Sequence, residues 1–278
     1  MGDEINMDAF FNIASGAGME IEHYRSESPE KSLAIIADKH QDLDLVIIAG
    51  GDGTISSLAP ALYEHKLPFA IVPLGTANDL ARELKIPATP EQAFELIVKD
   101  HYREIDLGRV NDNYFFNACH MGLGVKVNKA LSKEDKNKFG MISYAKALIQ
   151  VIKERKYFRI LVIANERSYR LRSLILTVGN GKYFGGGNKV HAEADNSDGL
   201  LHLVNQRPST IWELLYTAPL MRLGLQHNTT TSLALVGKKF VIKTTMPRQV
   251  IADGEIVTNT PAEFHVIPRA LRVIAPET

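Results

Sequence analysis

Apolar and polar positions follow two different patterns along the chain, and the change between them divides it into two parts. Before residue 110, helical spacing of apolar positions alternates with short apolar runs, of which residues 43–49 and 69–72 are the clearest. Runs of this kind, each followed by a glycine turn and a helical segment, are typical of buried parallel strands. Residues 32–40 and 89–99 fit the intervening helices, and residues 19–25 are predicted to form a further strand. The pattern predicts an α/β domain with a parallel sheet.

Beyond residue 110 strand patterns dominate, and only two longer helical patterns, 144–156 and 211–223, interrupt them. The predicted strands are 103–110, which ends at the boundary, and then 113–118, 159–163, 169–178, 200–204, 232–242 and 249–251. A succession of strands joined by turns favours a mostly antiparallel β-sandwich. The sequence therefore predicts an α/β domain over residues 1–110 and a sandwich over residues 111–267.

Composition and charge exclude several classes of protein. The chain has 278 residues, 45% of them hydrophobic and 23% charged, which suits one large or two modest globular domains. Lys plus Arg and Asp plus Glu both total 32, so nothing favours a non-specific nucleic-acid binder. A single cysteine, Cys119, excludes an internal disulfide framework and a cysteine-rich zinc site.

Membrane and export signals are missing from the sequence. The N-terminus lacks the basic and apolar regions of a signal peptide, and no apolar run reaches the roughly 18 residues that a membrane-spanning helix needs. We expect a cytoplasmic protein, with peripheral contact at the inner membrane face left open. The apolar helix around Trp212 and Tyr216 is expected to pack on the sandwich, with membrane contact as the alternative.

The first candidate site follows the buried run 43–49, where the sequence reads Gly-Gly-Asp-Gly-Thr over residues 50–54, here called the first glycine turn. Glycines let a phosphate approach the backbone, and the start of the next helix adds partial positive charge. Thr54 can donate a hydroxyl, and Asp52 beside a phosphate suggests an intervening Mg²⁺. The alternative is a plain strand–helix turn with a capping aspartate.

A second candidate turn follows the next apolar run. Residues 73–79 read Pro-Leu-Gly-Thr-Ala-Asn-Asp and are here called the second glycine turn. In a parallel sheet both turns lie at the carboxyl ends of their strands, where ligands bind, so together they could hold one nucleotide. Asn78 and Asp79 could instead be helix caps.

These motifs resemble the diacylglycerol kinase catalytic-domain family, most closely its small YegS-like bacterial lipid kinases, which are related to sphingosine kinases. Further matches in order are residues 105–108, 116–118, 122–124, 139–144, 179–187, 198–201 and 253–255. The resemblance covers nearly the whole chain. It implies an ATP-binding α/β domain, to which residues 268–278 return, and a β-sandwich, with the active site in the cleft between them.

The resemblance also implies ATP and Mg²⁺ as cofactors and a lipid, presented at a membrane surface, as the substrate. It assigns Glu255 as the general base, supported by the acidic residues Asp106 and Asp52. The residues that it assigns to ATP are Ser26, Gly50, Gly51, Asp52, Gly53, Thr54, Ile55, Ser56, Gly75, Thr76 and Asn78. A separate Mg²⁺ site would use the Asp198 side chain and the carbonyls of Asp195 and Leu200, although the spacing also fits an Asp-Gly turn.

One departure from the family lies at the N-terminus. Family members usually open with a strand and an Asn-Pro-x-Ser-Gly-like turn, whereas this chain begins inside the helix that follows. Either the start has been assigned too late or the strand is truly missing, which would expose a pairing edge.

The sequence leaves two alternatives to a lipid kinase open. One is an NAD kinase, which shares the Gly-Gly-Asp-Gly turn but is disfavoured by residues 73–79 and 253–255. The other is a non-catalytic lipid- or nucleotide-binding relative.

Overall fold

The computed structural model describes residues 7–122, 157–208 and 210–277. The sequence motif at 139–144, the predicted helix 144–156 and the last two residues of the motif at 122–124 lie outside this part of the chain.

The first part of the chain alternates helices and strands as predicted. Its elements are α1 (Met7–Gly16), α2 (Pro29–Lys39), β1 (Val46–Gly50), α3 (Asp52–Glu64), β2 (Phe69–Pro73), α4 (Asp79–Glu83) and α5 (Pro90–Val98). Local signals fix two of the helix starts. Ser28 is the N-cap of α2 and its side chain accepts a hydrogen bond from the Lys31 amide, while proline occupies the first turn of both α2 and α5.

The second part is dominated by strands. They are β3 (Tyr102–Val110), β4 (Asn113–Phe115), β5 (Ala118–Gly122), β6 (Phe158–Ala164), β7 (Arg167–Ser173), β8 (Ile175–Gly179), β9 (Tyr183–Phe184), β10 (Asn188–Lys189), β11 (Leu201–Gln206), β12 (Ser232–Gly237), β13 (Lys239–Thr244), β14 (Gln249–Ala252), β15 (Glu255–Asn259) and β16 (Ala262–Ile274). Helix α6 (Ile211–Leu223) and a 3₁₀ turn (Gln226–Asn228) lie between β11 and β12.

The long strand β16 joins the two parts. Strand β3 pairs antiparallel with both of its halves. On the other side, the first half of β16 pairs antiparallel with β13, and Val273 in the second half lies opposite Phe69 of β2. The parallel pair β1–β2 thereby continues into an eight-stranded mixed sheet, and a six-stranded antiparallel sheet, β12-β11-β8-β5-β14-β15, lies apart from it. The predicted fold class, an α/β domain with parallel strands followed by a mostly antiparallel sandwich, is confirmed.

Each part buries its own apolar core. Helices α3 to α5 cover the β1–β2 region, with Phe69 and Ile55 fully buried, and the sandwich core centres on Phe115, Phe240 and Phe264. None of the described helices has the length and apolar character that crossing a bilayer requires.

Four predictions about strands are wrong. Residues 19–25 form no strand; Met19 and Ile21 still contact the core, but no described strand pairs with the segment. Strand β1, which pairs only with β2 among the described strands, is the edge of the sheet, so the neighbour that a ladder requires is missing. Three other predicted strands are each two strands that belong to different sheets: 113–118 is β4 and β5, 169–178 is β7 and β8, and 232–242 is β12 and β13.

Candidate active site

The two glycine turns are in direct backbone contact. Gly50 ends β1 and accepts a hydrogen bond from the Leu74 amide at 3.0 Å. A Cβ atom added to Gly51 would lie 2.9 Å from the Cα of Gly75, and one added to Gly75 would lie 2.6 Å from the Cα of Gly51. Real Cβ atoms do not approach a backbone so closely, so both positions require glycine. The parallel register of β1 and β2 therefore brings the turns together at one sheet edge.

The start of α3 offers free backbone donors at this edge. Gly51 is the N-cap, and no side chain caps the helix. The first backbone hydrogen bond of this helix is the one that the Ile55 amide donates to the Gly51 carbonyl. The preceding amides, including those of Gly53 and Thr54, have no partner within the helix. Gly53 and Thr54 are exposed, and amides at a helix start favour anions. Ile55 differs because its side chain lies in the core and its amide is already bonded.

Two polar side chains of the predicted ATP site shape the second glycine turn. Asn78, in the left-handed conformation with φ 48°, accepts a hydrogen bond from the Gly75 amide at 2.9 Å and donates to the Gly75 carbonyl at 2.8 Å. Oδ1 of Asp52 accepts the Leu80 amide at 3.2 Å, which ties the first turn to the start of α4. These contacts hold the loop shape in which the exposed Thr76 is presented.

Asp253 links the sandwich to α3. Its Oδ2 accepts hydrogen bonds from the Ser56 hydroxyl and the Phe116 amide, both at 2.7 Å, and its Oδ1 accepts the Asn117 and Ala118 amides at 3.0 Å. Burial raises the pKa of Asp253, and these four hydrogen bonds oppose that rise. Ser56 is the fifth residue of α3, so the bond fixes the Asp253 turn against the helix that follows the first glycine turn.

The contacts of Asp253 also fix the start of the strand that carries Glu255. Glu255 is exposed and begins β15, two residues after Asp253, whose backbone is held in the left-handed conformation with φ 46°. The turn that precedes Glu255 is thus held against α3 through Asp253, and the Glu255 carboxylate itself is solvent-accessible.

Asp106 is buried, whereas Glu255 is exposed. Asp106 is 1% exposed, its Oδ2 accepts the Gly199 amide at 2.6 Å, and its Oδ1 accepts the Arg269 amide at 2.8 Å. Burial raises the pKa of Asp106, the two amides lower it, and the nearby charges of Asp198 and Asp195 raise it further. Both carboxylate oxygens are therefore used to hold backbone: the loop of residues 195–200 and the bend of β16.

The loop of residues 195–200 offers oxygen donors. Oδ1 of Asp198 accepts the Leu200 amide at 2.7 Å, and its Oδ2 lies 2.9 Å from Nε2 of His202. Asp195 accepts the Ser197 amide at 2.9 Å. Oxygen donors suit Mg²⁺. Within the described residues no group of three or more His, Cys, Asp or Glu side chains is arranged to hold a metal, so an ion here would depend on carbonyls and water.

Ser26 lies away from these contacts. It is exposed in the segment before α2, and its hydroxyl donates to the Ser28 carbonyl at 2.8 Å. The hydrogen bonds of the described residues do not connect it to either glycine turn.

Two carboxylates make contacts with the sandwich that were not predicted from the sequence. Asp79 and Glu83 stand at the ends of the short helix α4, and both accept backbone amides of the sandwich. Asp79 accepts those of Gly186 and Gly187 at 2.8 Å each, with its side chain buried. Burial raises the pKa of Asp79, and the two amides lower it. The available signal was the i, i+4 spacing of two acids, the first of which is the last residue of the second glycine turn.

Glu83 makes the second of these contacts. Its Oε2 accepts the Lys182 amide at 2.9 Å and its Oε1 accepts the Asn196 amide at 3.0 Å. Burial raises the pKa of Glu83 to about 7, against the lowering effect of the amides. Helix α4 is therefore fastened to two loops of the sandwich.

Comparison with known protein families divides the chain much as its structure does. Residues 4–110 match the diacylglycerol kinase catalytic domain, and residues 117–275 match the YegS C-terminal NAD kinase beta sandwich-like domain. A curated protein of Staphylococcus aureus strain MSSA476, named "Putative lipid kinase SAS0691", is 28% identical over 252 residues. The match covers 84% of this chain and 78% of that protein.

Solved structures share the fold. One crystal structure, titled as that of a "putative diacylglycerol kinase" from Bacillus anthracis strain Sterne, has a TM-score of 0.83 and 23% identity, covering 98% of this chain and 89% of that chain. Another, titled as a diacylglycerol kinase from the same strain, has a TM-score of 0.80 and 24% identity, and the match covers 99% of this chain and 93% of that chain. At this identity the likeness concerns the fold.

Proposed function

Because the chain belongs to the family that joins a diacylglycerol kinase catalytic domain to a YegS C-terminal NAD kinase beta sandwich-like domain, we propose that it is an ATP- and Mg²⁺-dependent lipid kinase. It would transfer the γ-phosphoryl group of ATP to the hydroxyl of a lipid such as diacylglycerol, phosphatidylglycerol or a sphingoid-like alcohol. The observation that carries this proposal is the hydrogen bond between Ser56 and Asp253, which joins the helix of the first glycine turn to the turn that bears Glu255.

The glycine turns are proposed to hold the phosphates of ATP. Phosphoryl transfer requires positioning and charge stabilisation more than covalent chemistry from the protein. The free amides at the start of α3 supply donors, and the backbone contact between Gly51 and Gly75 leaves no side chain in the way. Asn78 and Asp52 would act by keeping the second turn in shape.

Glu255 is proposed to accept the proton of the lipid hydroxyl as the new P–O bond forms. A general base must reach the proton that it removes, and an exposed carboxylate at the start of β15 is free to do so. Asp253 would be its positioning residue, because its four hydrogen bonds fix the backbone from which Glu255 extends.

Mg²⁺ would neutralise charge on the transferred phosphoryl group when it is bound with ATP. Asp52 is the acidic side chain of the first glycine turn that would take part in holding it. The oxygen donors of residues 195–200 would hold a separate, structural ion through the Asp198 side chain and the carbonyls of Asp195 and Leu200. Asp106 would stabilise that loop through its contact with Gly199.

The experiment is a transfer assay with labelled ATP, Mg²⁺ and mixed lipid vesicles, with NAD as the acceptor in a parallel reaction. NAD is the acceptor to compare because the matched sandwich domain is described as NAD kinase-like. Label in lipid supports the proposal. Label in NAD alone would replace it with an NAD kinase, and ATP binding without transfer to either acceptor would replace it with a non-catalytic nucleotide-binding role.

A further inference from the structure

Helix α6 is unusually apolar for the position that it occupies. Its sequence, Ile-Trp-Glu-Leu-Leu-Tyr-Thr-Ala-Pro-Leu-Met-Arg-Leu, contains only two charged residues. A helix apolar on nearly all sides is normally buried. Here Trp212 is 76% exposed, Tyr216 is 65% exposed and Leu223 is 55% exposed. The predicted packing of this helix on the sandwich therefore does not include these three side chains.

The exposed residues form one stripe. Trp212, Tyr216, Pro219 and Leu223 are exposed and are separated by four, three and four positions, which places them on the same face of a helix. Thr217 is buried, so another part of the helix faces the protein. We call these four residues the α6 stripe.

The protein holds the α6 stripe in a fixed direction. The Thr210 hydroxyl caps the start of the helix by accepting the Glu213 amide at 3.1 Å. At the other end Gly224 adopts φ 75° and lies so close to Ala192 that an added Cβ would be 2.5 Å from its amide nitrogen. Arg222 donates to the Gly186 carbonyl at 2.7 Å. The helix therefore borders the loop that Asp79 holds from the first domain.

Cationic side chains lie beside the stripe. The guanidinium groups of Arg222 and Arg82 converge on Gly187: each has Nη1 3.0 Å from the position that a Cβ there would take. Lys189 belongs to β10, which contacts α6, and its ammonium lies 5.8 Å from the centre of the Tyr183 ring, where the Arg82 guanidinium lies at 6.0 Å. The chain as a whole has no net charge, so this cationic group is a local feature next to the interdomain junction.

We propose that the α6 stripe is the surface on which the protein docks to an anionic phospholipid bilayer. Tryptophan and tyrosine favour the level of the headgroups because their rings are apolar and each carries one polar atom. Adjacent arginine and lysine are attracted to anionic lipid. The proposal rests on the proposed function, because a lipid substrate is the reason for the protein to meet a bilayer. Vesicle binding can nevertheless be measured whether or not the protein transfers phosphate.

The sequence provides its own probe. Trp212 is the single tryptophan of the chain, so tryptophan emission reports on the stripe alone. On adding vesicles of phosphatidylcholine and phosphatidylglycerol, emission should shift to shorter wavelength and be quenched by lipids brominated on their acyl chains. Vesicles of phosphatidylcholine alone should give a weaker effect, because the cationic residues then lack a partner.

Flotation with the same vesicles tests the stripe by substitution. The double variant Trp212→Ser, Tyr216→Ser should bind about tenfold more weakly or worse, because two aromatic side chains no longer leave water. The matched control is Met246→Ser, which removes a 70% exposed apolar side chain between β13 and β14 and should bind as the unmodified protein does. Circular dichroism confirms that both variants are folded.

Three results would overturn the proposal. One is flotation that the double variant retains in full; another is flotation of the unmodified protein with unchanged tryptophan emission, which would mean that a different surface docks. The third is a blue shift that depends on protein concentration without lipid, together with a doubled mass in light scattering, which would assign the stripe to self-association. If transfer to lipid is absent while the vesicle results hold, the kinase proposal fails and the docking surface stands.

Discussion

Replacing Gly51 by alanine perturbs the contact between the glycine turns with one added carbon atom. The backbone of Gly51, with φ −97° and ψ −178°, is accessible to any residue, so the substitution introduces no conformational strain of its own. The added Cβ would lie 2.9 Å from the Cα of Gly75, and a backbone atom cannot turn aside as a side chain can. Overpacking of this kind costs about 1–3 kcal/mol in the free energy of unfolding. The turns must also separate, which displaces the amides proposed to bind phosphate.

Gly53→Ala is the matched control in the same loop. A Cβ at Gly53 has no other atom within 4 Å, and alanine in place of glycine within a helix stabilises by about 0.5–1 kcal/mol. Urea unfolding measured for both variants should therefore move in opposite directions. ATP affinity, measured by calorimetry, should fall for Gly51→Ala. A Gly51→Ala protein with the stability and ATP affinity of the original would refute the close contact and the phosphate site built on it.

Three further outcomes are expected. Ser56→Ala removes one of the four hydrogen bonds to Asp253 and should cost about 1 kcal/mol in urea unfolding and lower kcat more than it raises the KM for ATP; an unchanged kcat would separate the Asp253 turn from catalysis. Asp79→Asn replaces one of the two oxygens that accept the Gly186 and Gly187 amides with an NH₂ donor, so it should lower the free energy of unfolding by about 1–3 kcal/mol. Unaltered stability would contradict the observed contact. Because burial raises the pKa of Glu83 to about 7, the folded protein retains a proton that the unfolded chain releases above pH 4.5, so the free energy of unfolding should decrease as pH rises through that window, by at most about 1.4 kcal/mol per unit. Glu83→Gln should remove that decrease, and an identical pH profile for the variant would show that Glu83 does not titrate there.

Local signals explain why the glycine turns could be located from the sequence. A buried apolar run, glycines and a helical pattern occur within a dozen residues, and the parallel register of β1 and β2 then brings Gly51 and Gly75 into contact. The wrong strand at 19–25 has the opposite cause. A strand is defined by its neighbour, and the free edge of β1 supplies none among the described residues, so an apolar pattern alone could not form a ladder.

The interdomain carboxylates show what the sequence could not reveal. Asp79 and Glu83 are polar residues on a short helix, and nothing nearby in the chain indicates that their partners are amides about 100 positions later, at 182, 186, 187 and 196. The exposure of Trp212 was equally hidden, because an apolar helix pattern does not say which neighbour covers it. Both features depend on how distant segments assemble.

The most direct test of the central claim is to compare ATP binding and phosphate transfer in one preparation of the Glu255→Gln variant. We predict that calorimetry gives the ATP affinity of the original protein, because Glu255 does not belong to either glycine turn, while transfer to lipid falls by about 10²-fold or more with the loss of the base. Transfer that continues at the original rate, or transfer and ATP binding lost together, would contradict the account.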